Sequence, residues 1–457
     1  MSDLNRRDFI RAGAVTGVGA TLAGMASSCS SMKLARGGGA NMIGFKVPPI
    51  ENVRIAYVGV GGMGSSHVRN LLKIEGCQIT AVCDIVPEKV ERVQKWVVDA
   101  GFPKPTGYTR GDWDFQRLCE TEDLDLVYTA TPWKWHTPVL LAAMKNGKHG
   151  ATEVNAAFNV EDCWKLVETA EKTQRHCVLM ENCCYDRTEM QILNMVKQGL
   201  FGELLHGECG YLHDLRGVKF AKGGEGLWRR NWSMTHDANL YPTHGLGPIA
   251  QCMDVNRGDA FDYLVSVSSN SRGLFDYAKE HYPEGDPKRD EVYKLGDVNT
   301  SLIRTKLGKT IVVKHDTNVP RPYSRDILVQ GTKGIVRKYP EEKVHIEGKS
   351  AGHGWEDLNK YRSGDLDYDH PLWKAMQDSA KGAGHGGMDF IEDYRLIDAL
   401  RHGRPTDIDV YDAVAWSAVV GLSQQSVAKN GRPMDFPDFT RGGWKTPREL
   451  EVMKFKG

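Results

Sequence analysis

The chain has 457 residues, enough for two domains and a leader segment. Lysine plus arginine and aspartate plus glutamate both number 59, so no surplus charge is available to hold nucleic acid or an anionic membrane. No run of 18 or more apolar residues occurs, so no transmembrane segment is expected.

Residues 2–11 read S-D-L-N-R-R-D-F-I-R. Arg6-Arg7 followed by Asp8-Phe9-Ile10 resembles a twin-arginine export signal, and a mild Ala/Gly/Val/Leu run, Ala12 to Met25, follows. Residues 1–31 therefore read as a signal segment with a periplasmic destination. Ala26-Ser27-Ser28-Cys29 also fits a lipoprotein processing site with Cys29 lipidated; simple cleavage stays open. Residues 32–50, with Gly37-Gly38-Gly39, read as a flexible linker.

Residues 51–182 alternate strands and helices, the pattern of a doubly wound parallel sheet. Ile55 to Val58 form an apolar run that suits a buried strand. Gly59, Gly61 and Gly64 follow as G-x-G-x-x-G, and Ser65 to Ile74 begins a helix. Strand, glycines and helix in this order cradle a pyrophosphate: a tight turn, a close backbone approach, and free N–H groups at a helix start. The second strand, Gln78 to Cys83, ends on Asp84, twenty residues past Gly64. A carboxylate there accepts bonds from the adenosine ribose and selects NAD over NADP. Pro87 to Ala100 reads as a helix, Leu124 to Ala130 as a strand, and Thr137 to Asn146 as a helix stopped by Gly147. His149 to Val154 and Cys177 to Glu181 are further strands, with a helix over Glu161 to Thr173. Ligand groups gather at C-terminal strand ends. Trp133-Lys134-Trp135-His136, Glu153-Val154 and Asn182 all stand there.

Residues 183–440 change character. Leu204–His213, Asp262–Ser268, Asn299–Leu307, Thr310–Asp316, Arg325–Gln330, Ile335–Tyr339 and Lys343–Ile346 read as consecutive strands, several joined by hairpin signals. This predicts an α+β domain with a large, mostly antiparallel open sheet, interrupted by irregular stretches over 214–240 and 272–298. Residues 390–430 return to helical patterns, and residues 441–457 form a tail. The ten cysteines lack C-x-x-C and zinc-type spacings, so no metal is expected, and Cys183-Cys184 read as buried apolar residues.

G-V-G-G-M-G, A-T-P-x-x-x-H, an acid ending the fifth strand and the open sheet together resemble the Gfo/Idh/MocA family. His385 to Asp389, H-G-G-M-D, resembles a late motif of that family. Most members carry E-K-P after the fifth strand, where the lysine assists proton transfer; here the stretch is Glu153-Val154-Asn155. A narrower match exists. W-K-W-H, E-V, E-N-C-C-Y (Glu181 to Tyr185), Trp228-Arg229 and N-L-Y-P-T-H-G-L-G-P (Asn239 to Pro248) resemble glycoside hydrolase family 109, NAD-dependent α-N-acetylgalactosaminidases. That resemblance implies that Gly62, Met63, Asp84, Trp133 to His136, Glu153, Val154 and Asn182 hold NAD. It implies that Tyr211, Arg229, Tyr241, Pro242, Thr243, His244 and Tyr323 line the sugar site. By analogy with the family, a homodimer is expected.

The implied chemistry is a redox-neutral cycle rather than the two-carboxylate hydrolysis of ordinary glycosidases. Oxidation at C3 of the sugar makes the C2 proton acidic, the aglycone leaves by elimination, water adds, and the hydride returns to C3. His244, Tyr241 and Tyr185 are the groups able to move the protons, and Arg229 can face developing negative charge. The expected substrate is a carbohydrate with terminal N-acetylgalactosamine or a related sugar. The alternatives are an NAD(P)-dependent sugar oxidoreductase, which Val154 disfavours, and a non-catalytic sugar-binding protein, which the intact glycines and Tyr/His cluster disfavour.

Overall fold

The computed structural model describes residues 40–455. Arg6, Arg7, Cys29 and the signal segment 1–31 lie outside the described residues, as does the first part of the 32–50 linker. The first domain lays down β1 (Val53–Val58), α1 (Gly62–Leu71), β2 (Cys77–Cys83), α2 (Pro87–Asp99), β3 (Thr106–Tyr108) and α3 (Asp114–Thr121). It continues with β4 (Leu126–Thr129), α4 (His136–Lys145), β5 (His149–Thr152), α5 (Val160–Thr173) and β6 (Cys177–Leu179). The six strands are parallel in the order β3-β2-β1-β4-β5-β6. This is the dinucleotide-binding order, with the ligand crevice where the winding reverses between β1 and β4. Val53, Ile55, Ala56 and Tyr57 of β1 are fully buried, as a central strand covered on both faces requires. The helix predicted over Thr137–Asn146 is α4, and its chain direction changes at Gly147, whose φ is +78°.

The second domain contains α6 (Arg187–Lys197), β7 (Leu204–Leu212), α7 (Arg216–Lys219), α8 (Gly226–Thr235), α9 (Thr243–Cys252), β8 (Phe261–Ser268) and α10 (Gly273–His281). Next come β9 (Val298–Thr305), β10 (Thr310–Asp316), β11 (Leu328–Gly331), β12 (Gly334–Arg337), β13 (Lys343–Ile346) and β14 (Glu356–Asp357). The chain closes with α11 (Pro371–Met376), α12 (Met388–Arg401), α13 (Val410–Ala428) and β15 (Met434–Asp435). Nine strands run in the order β14-β13-β12-β11-β7-β10-β9-β8-β15, and only β7 and β10 pair in parallel. The expected fold class, a parallel nucleotide-binding domain followed by a mostly antiparallel open sheet, is the observed one.

Two local expectations need correction. The stretches 214–240 and 272–298 are not simply irregular: they hold α7, α8 and α10. Their aromatic and basic residues bury against neighbouring elements, so a simple apolar stripe is missing from the sequence. The strand expected from Arg325 starts at Leu328, because Asp326 is left-handed at φ 52° and breaks the ladder. Helix α13 is apolar all round because it is buried all round, packed on α5 and β8. No helix among the described residues is long and apolar enough to cross a membrane.

Candidate active site

The glycine loop has the geometry its spacing demands. Gly59 has φ +84°, and a Cβ there would lie 2.9 Å from the Ala130 carbonyl oxygen. A Cβ on Gly64 would lie 2.0 Å from the Gly59 carbonyl oxygen. A Cβ on Gly61 or Gly62 would meet nothing within 4 Å, so the space beside these two is open. No side chain caps α1, which leaves its first N–H groups free toward that space. This open cradle at a helix start fits a pyrophosphate. Met63 is half-buried on the first turn. Asp84 accepts the Val60 N–H at 2.9 Å and the Val86 N–H at 3.0 Å, which fixes the carboxylate against the loop.

The strand ends β4 to β6 carry the next groups. Trp133-Lys134-Trp135 form one turn of 3-10 helix before α4. Trp133 points away from Trp135. It stacks on Phe158 at 5.0 Å and meets Trp228 at 4.7 Å, whereas Trp135 packs edge-on to Trp113 at 4.8 Å. Lys134 is exposed, with its ammonium over the Trp135 ring. His136 is buried with Nδ1 2.7 Å from the Asn155 carbonyl and Nε2 2.8 Å from the Thr131 carbonyl. Burial lowers its pKa while the two carbonyls work the other way, and the ring sits between the β4 end and the β5 end. Val154 is buried. Asn155 donates to the Leu240 carbonyl at 3.0 Å, joining the first domain to the Tyr241–His244 loop. Asn182 Nδ2 donates to Asp389 at 2.8 Å.

Glu153 meets a group that sequence reasoning missed. His67, buried on α1, places Nε2 2.7 Å from Glu153 and Nδ1 2.9 Å from Asp393. Burial works against a charge on His67, but the two carboxylates raise it well above the ordinary imidazole range. Sequence separations of 86 and 326 residues hide this triad from any local pattern.

The second-domain residues converge on one aromatic cluster. Tyr211 on β7 stacks against Tyr241 at 4.3 Å, and His244 stands edge-on to both, 5.5 and 4.8 Å away. His244 Nδ1 lies 2.7 Å from Glu181 Oε1. Burial works to raise the Glu181 carboxyl, yet the His244 ring holds it below its usual range. This is the arrangement of a proton-transferring histidine oriented by a buried acid. Pro242 precedes α9 as its cap residue and Thr243 is buried behind the ring. Tyr323 closes the group edge-on to Tyr211 and receives a bond from Arg325 at 3.2 Å. Burial raises the Tyr241 phenol well above its usual range and pushes Tyr211 up to about 12. Both keep their protons at neutral pH, while Tyr323 is 39% exposed at the edge of the group.

Arg229 on α8 sits in an aromatic box, with its guanidinium carbon 4.9 Å from Trp133, 5.0 Å from Trp228 and 5.2 Å from Tyr241. Glu225 accepts its Nε–H at 2.5 Å. Burial lowers the nearby Lys219 to about 7 and the His315 ring to about 3, so Arg229 is the permanent cation inside the aromatic box. His315 lies beside Tyr211 in the β7–β10 register. Trp133 thus bridges the nucleotide strand ends and the second-domain pocket.

Tyr185 is not brought into this group. Its hydroxyl donates to Asp407 at 3.1 Å, an acid that Arg395 also binds at 2.7 Å. The structure gives it a place in a buried ion pair near α12, where the sequence reading placed it among the proton carriers. Glu181, Cys183 and His244 bring a carboxylate, a thiol and an imidazole within 4.8 Å. Burial pushes the Cys183 thiol well up, and Glu181 already bonds His244, so the trio is built to orient His244.

Together these features define a Rossmann-type dinucleotide-binding protein whose second domain supplies an aromatic pocket with an acid-held histidine. A family model described as "Oxidoreductase family, NAD-binding Rossmann fold" matches residues 53–181, and one described as "Glycosyl hydrolase 109, C-terminal domain" matches residues 185–446. A glycosyl hydrolase family 109 protein of Solibacter usitatus is 49% identical over 98% of this chain and 99% of its own. A Shewanella oneidensis protein named alpha-N-acetylgalactosaminidase is 42% identical over 99% of this chain and 100% of its own. Among solved structures, levoglucosan dehydrogenase in complex with NADH and L-sorbose shares the fold. Its TM-score is 0.65 at 19% identity, covering 85% of this chain and 100% of that one. The chain belongs to glycoside hydrolase family 109: it is a glycoside hydrolase with an NAD-binding Rossmann domain.

Proposed function

We propose that this enzyme hydrolyses α-linked terminal N-acetylgalactosamine or a closely related sugar in a redox-neutral cycle. The sugar assignment rests on the full-length 42% identity with the protein named alpha-N-acetylgalactosaminidase. When bound, NAD supplies a hydride acceptor and donor for one sugar carbon. Gly61, Gly62 and the start of α1 would hold its pyrophosphate, and Asp84 its adenosine ribose. The protein's own part is orientation and proton transfer. His244, fixed by Glu181, takes and returns a proton at the sugar face. Tyr211, Tyr241 and Tyr323 donate hydrogen bonds to sugar oxygens. Arg229 faces the negative charge that develops on the oxidised sugar's oxygen. Val154, where the wider family has a lysine, can carry no proton. This disfavours open-ended dehydrogenation.

A panel of α- and β-nitrophenyl glycosides, incubated with purified enzyme and no added NAD, tests the reading. Release of nitrophenol from the α-N-acetylgalactosaminide, above all others, is expected. Release from none of the panel, with NADH accumulating on free sugars, would overturn it.

We further infer export by the twin-arginine route, supported by Arg6-Arg7 and the apolar run after them. Replacing both arginines with lysine should retain the protein in the cytoplasm. Undiminished periplasmic protein would refute this. Homodimerisation is proposed by family analogy, and sedimentation of the purified enzyme checks it.

A further inference from the structure

Beneath the β5 and β6 strand ends lies a buried acidic group that the proton-transfer scheme does not use. Glu153 follows β5, with its side chain 16% exposed. Asp393 and Asp389 come from α12 and are fully buried. Among the described residues, two imidazole rings bond them directly. His67 lies between Glu153 and Asp393, and His385, half-exposed, bonds Asp389 at 2.8 Å. Glu392 lies in the same cluster, 2% exposed, and neither of its carboxyl oxygens has a partner. Glu153, His67, Asp393 and Asp389 face Glu392, Arg395 and Asp407 line the small cavity beside it, and burial raises its carboxyl well above the usual range. Burial raises the Asp393 carboxyl too, opposed by His67 and by the Asn70 amide at 3.0 Å. The cluster sets four carboxyl groups against two imidazole rings, a surplus of acidic groups in a buried place.

The position matters. In a doubly wound dinucleotide fold the second mononucleotide half, the nicotinamide end, lies over the carboxyl ends of the strands beyond the crevice. Here those are β4, β5 and β6, the strands that Glu153 and Asn182 follow. Oxidised nicotinamide carries a positive ring. Adding a hydride, two electrons and one proton taken together from a substrate C–H bond, removes that charge. Buried negative charge nearby is weakly screened and therefore favours the oxidised form.

We propose that the carboxylate cluster of Glu153 and Asp393, joined by His67, and of Asp389, held by His385 and Asn182, biases the bound dinucleotide toward its oxidised form. An enzyme that borrows a hydride and returns it must rest oxidised to begin each turnover. The cluster favours giving the hydride back over keeping it. The inference rests on NAD binding and not on which sugar is cleaved.

The test uses the full-length holoenzyme exchanged against defined mixtures of NAD+ and NADH. Bound cofactor is extracted and both forms are quantified. Wild-type enzyme should retain NAD+ in excess of the mixing ratio. Asp389→Asn and Asp393→Asn should each move the retained ratio toward NADH by about tenfold, the order expected for removing one buried charge. Total cofactor should fall far less than the ratio shifts. His385→Gln, at a half-exposed position and measured at pH 6, removes a cation and should move the ratio the other way. If the carboxylate variants fail to fold, His385→Gln still decides: no shift, or a shift toward NADH, overturns the proposal. Equal loss of both forms in the Asp389 and Asp393 variants would also overturn it, since that is what a merely structural role predicts. Glycosidase activity is not the readout, so failure here is distinct from failure of the substrate assignment.

Discussion

His244 owes its place to Glu181, and the pair sets the first prediction. His244→Ala should lower turnover by about 10² to 10⁴, the range for losing a positioned acid or base. Glu181→Gln keeps the shape but not the charge, and should fall in the same direction. NAD content should stay near normal in both, because the ring faces the second-domain pocket; turnover at the wild-type level in His244→Ala would remove that residue from the mechanism. Glu392 supports a second prediction, on pH. Its folded pKa is raised well above 4.5 by burial, so above the unfolded value the native state binds more protons than the unfolded chain. Stability therefore falls as pH rises from the unfolded toward the folded value, by about 1.4 kcal/mol per pH unit for one proton. Glu392→Gln removes that dependence. Its melting temperature should match wild type near pH 4.5 and exceed it increasingly as the pH rises from there. Curves that stay parallel above pH 5 would show that Glu392 is ionised in the folded protein.

At the level of elements, the glycine loop separates folding from binding. Gly64→Ala would drive a methyl group into the Gly59 carbonyl and force β1 and α1 apart. Overpacking of this kind costs about 1–3 kcal/mol or more, so the variant should melt earlier and also lose NAD. Gly61→Ala meets no protein atom within 4 Å, so it should fold normally and lose cofactor affinity alone, by occupying space the pyrophosphate needs. Thermal melts and NAD content, read side by side, check the contrast. Normal NAD in Gly61→Ala would move the pyrophosphate elsewhere. These roles are legible in the sequence because strand, glycines, helix and Asp84 lie within about thirty residues. Helix α8 is not legible in the same way. Trp228, Arg229 and Trp232 bury against Trp133 and Phe158, residues far away in sequence, and show no polar and apolar faces of their own. Tyr185 is the opposite case: a phenol beside a strand end reads as a proton carrier, while in the fold its hydroxyl donates to Asp407, 222 residues on.

Across the whole molecule, the cofactor cradle and the His244 pocket are joined through Trp133 and through Asn155, which tethers the Leu240 carbonyl. Neither junction carries a proton, and Val154 removes the lysine that would serve a dehydrogenase. A molecule built this way should leave its NAD unchanged after each turnover. Two isotope consequences follow for the released sugar. In deuterated water it should carry deuterium at C2, because the proton removed there exchanges with solvent before water adds and the carbon is reprotonated. The C3 hydrogen should be protium, since as a hydride it never meets solvent. NMR of the product reads both positions in one spectrum, and absorbance during turnover should show no steady growth of NADH. Stoichiometric NADH would mean that the hydride is not returned. A product with neither C2 label nor NADH would mean direct displacement at C1, and His244 would then have to act on the leaving group or the attacking water alone.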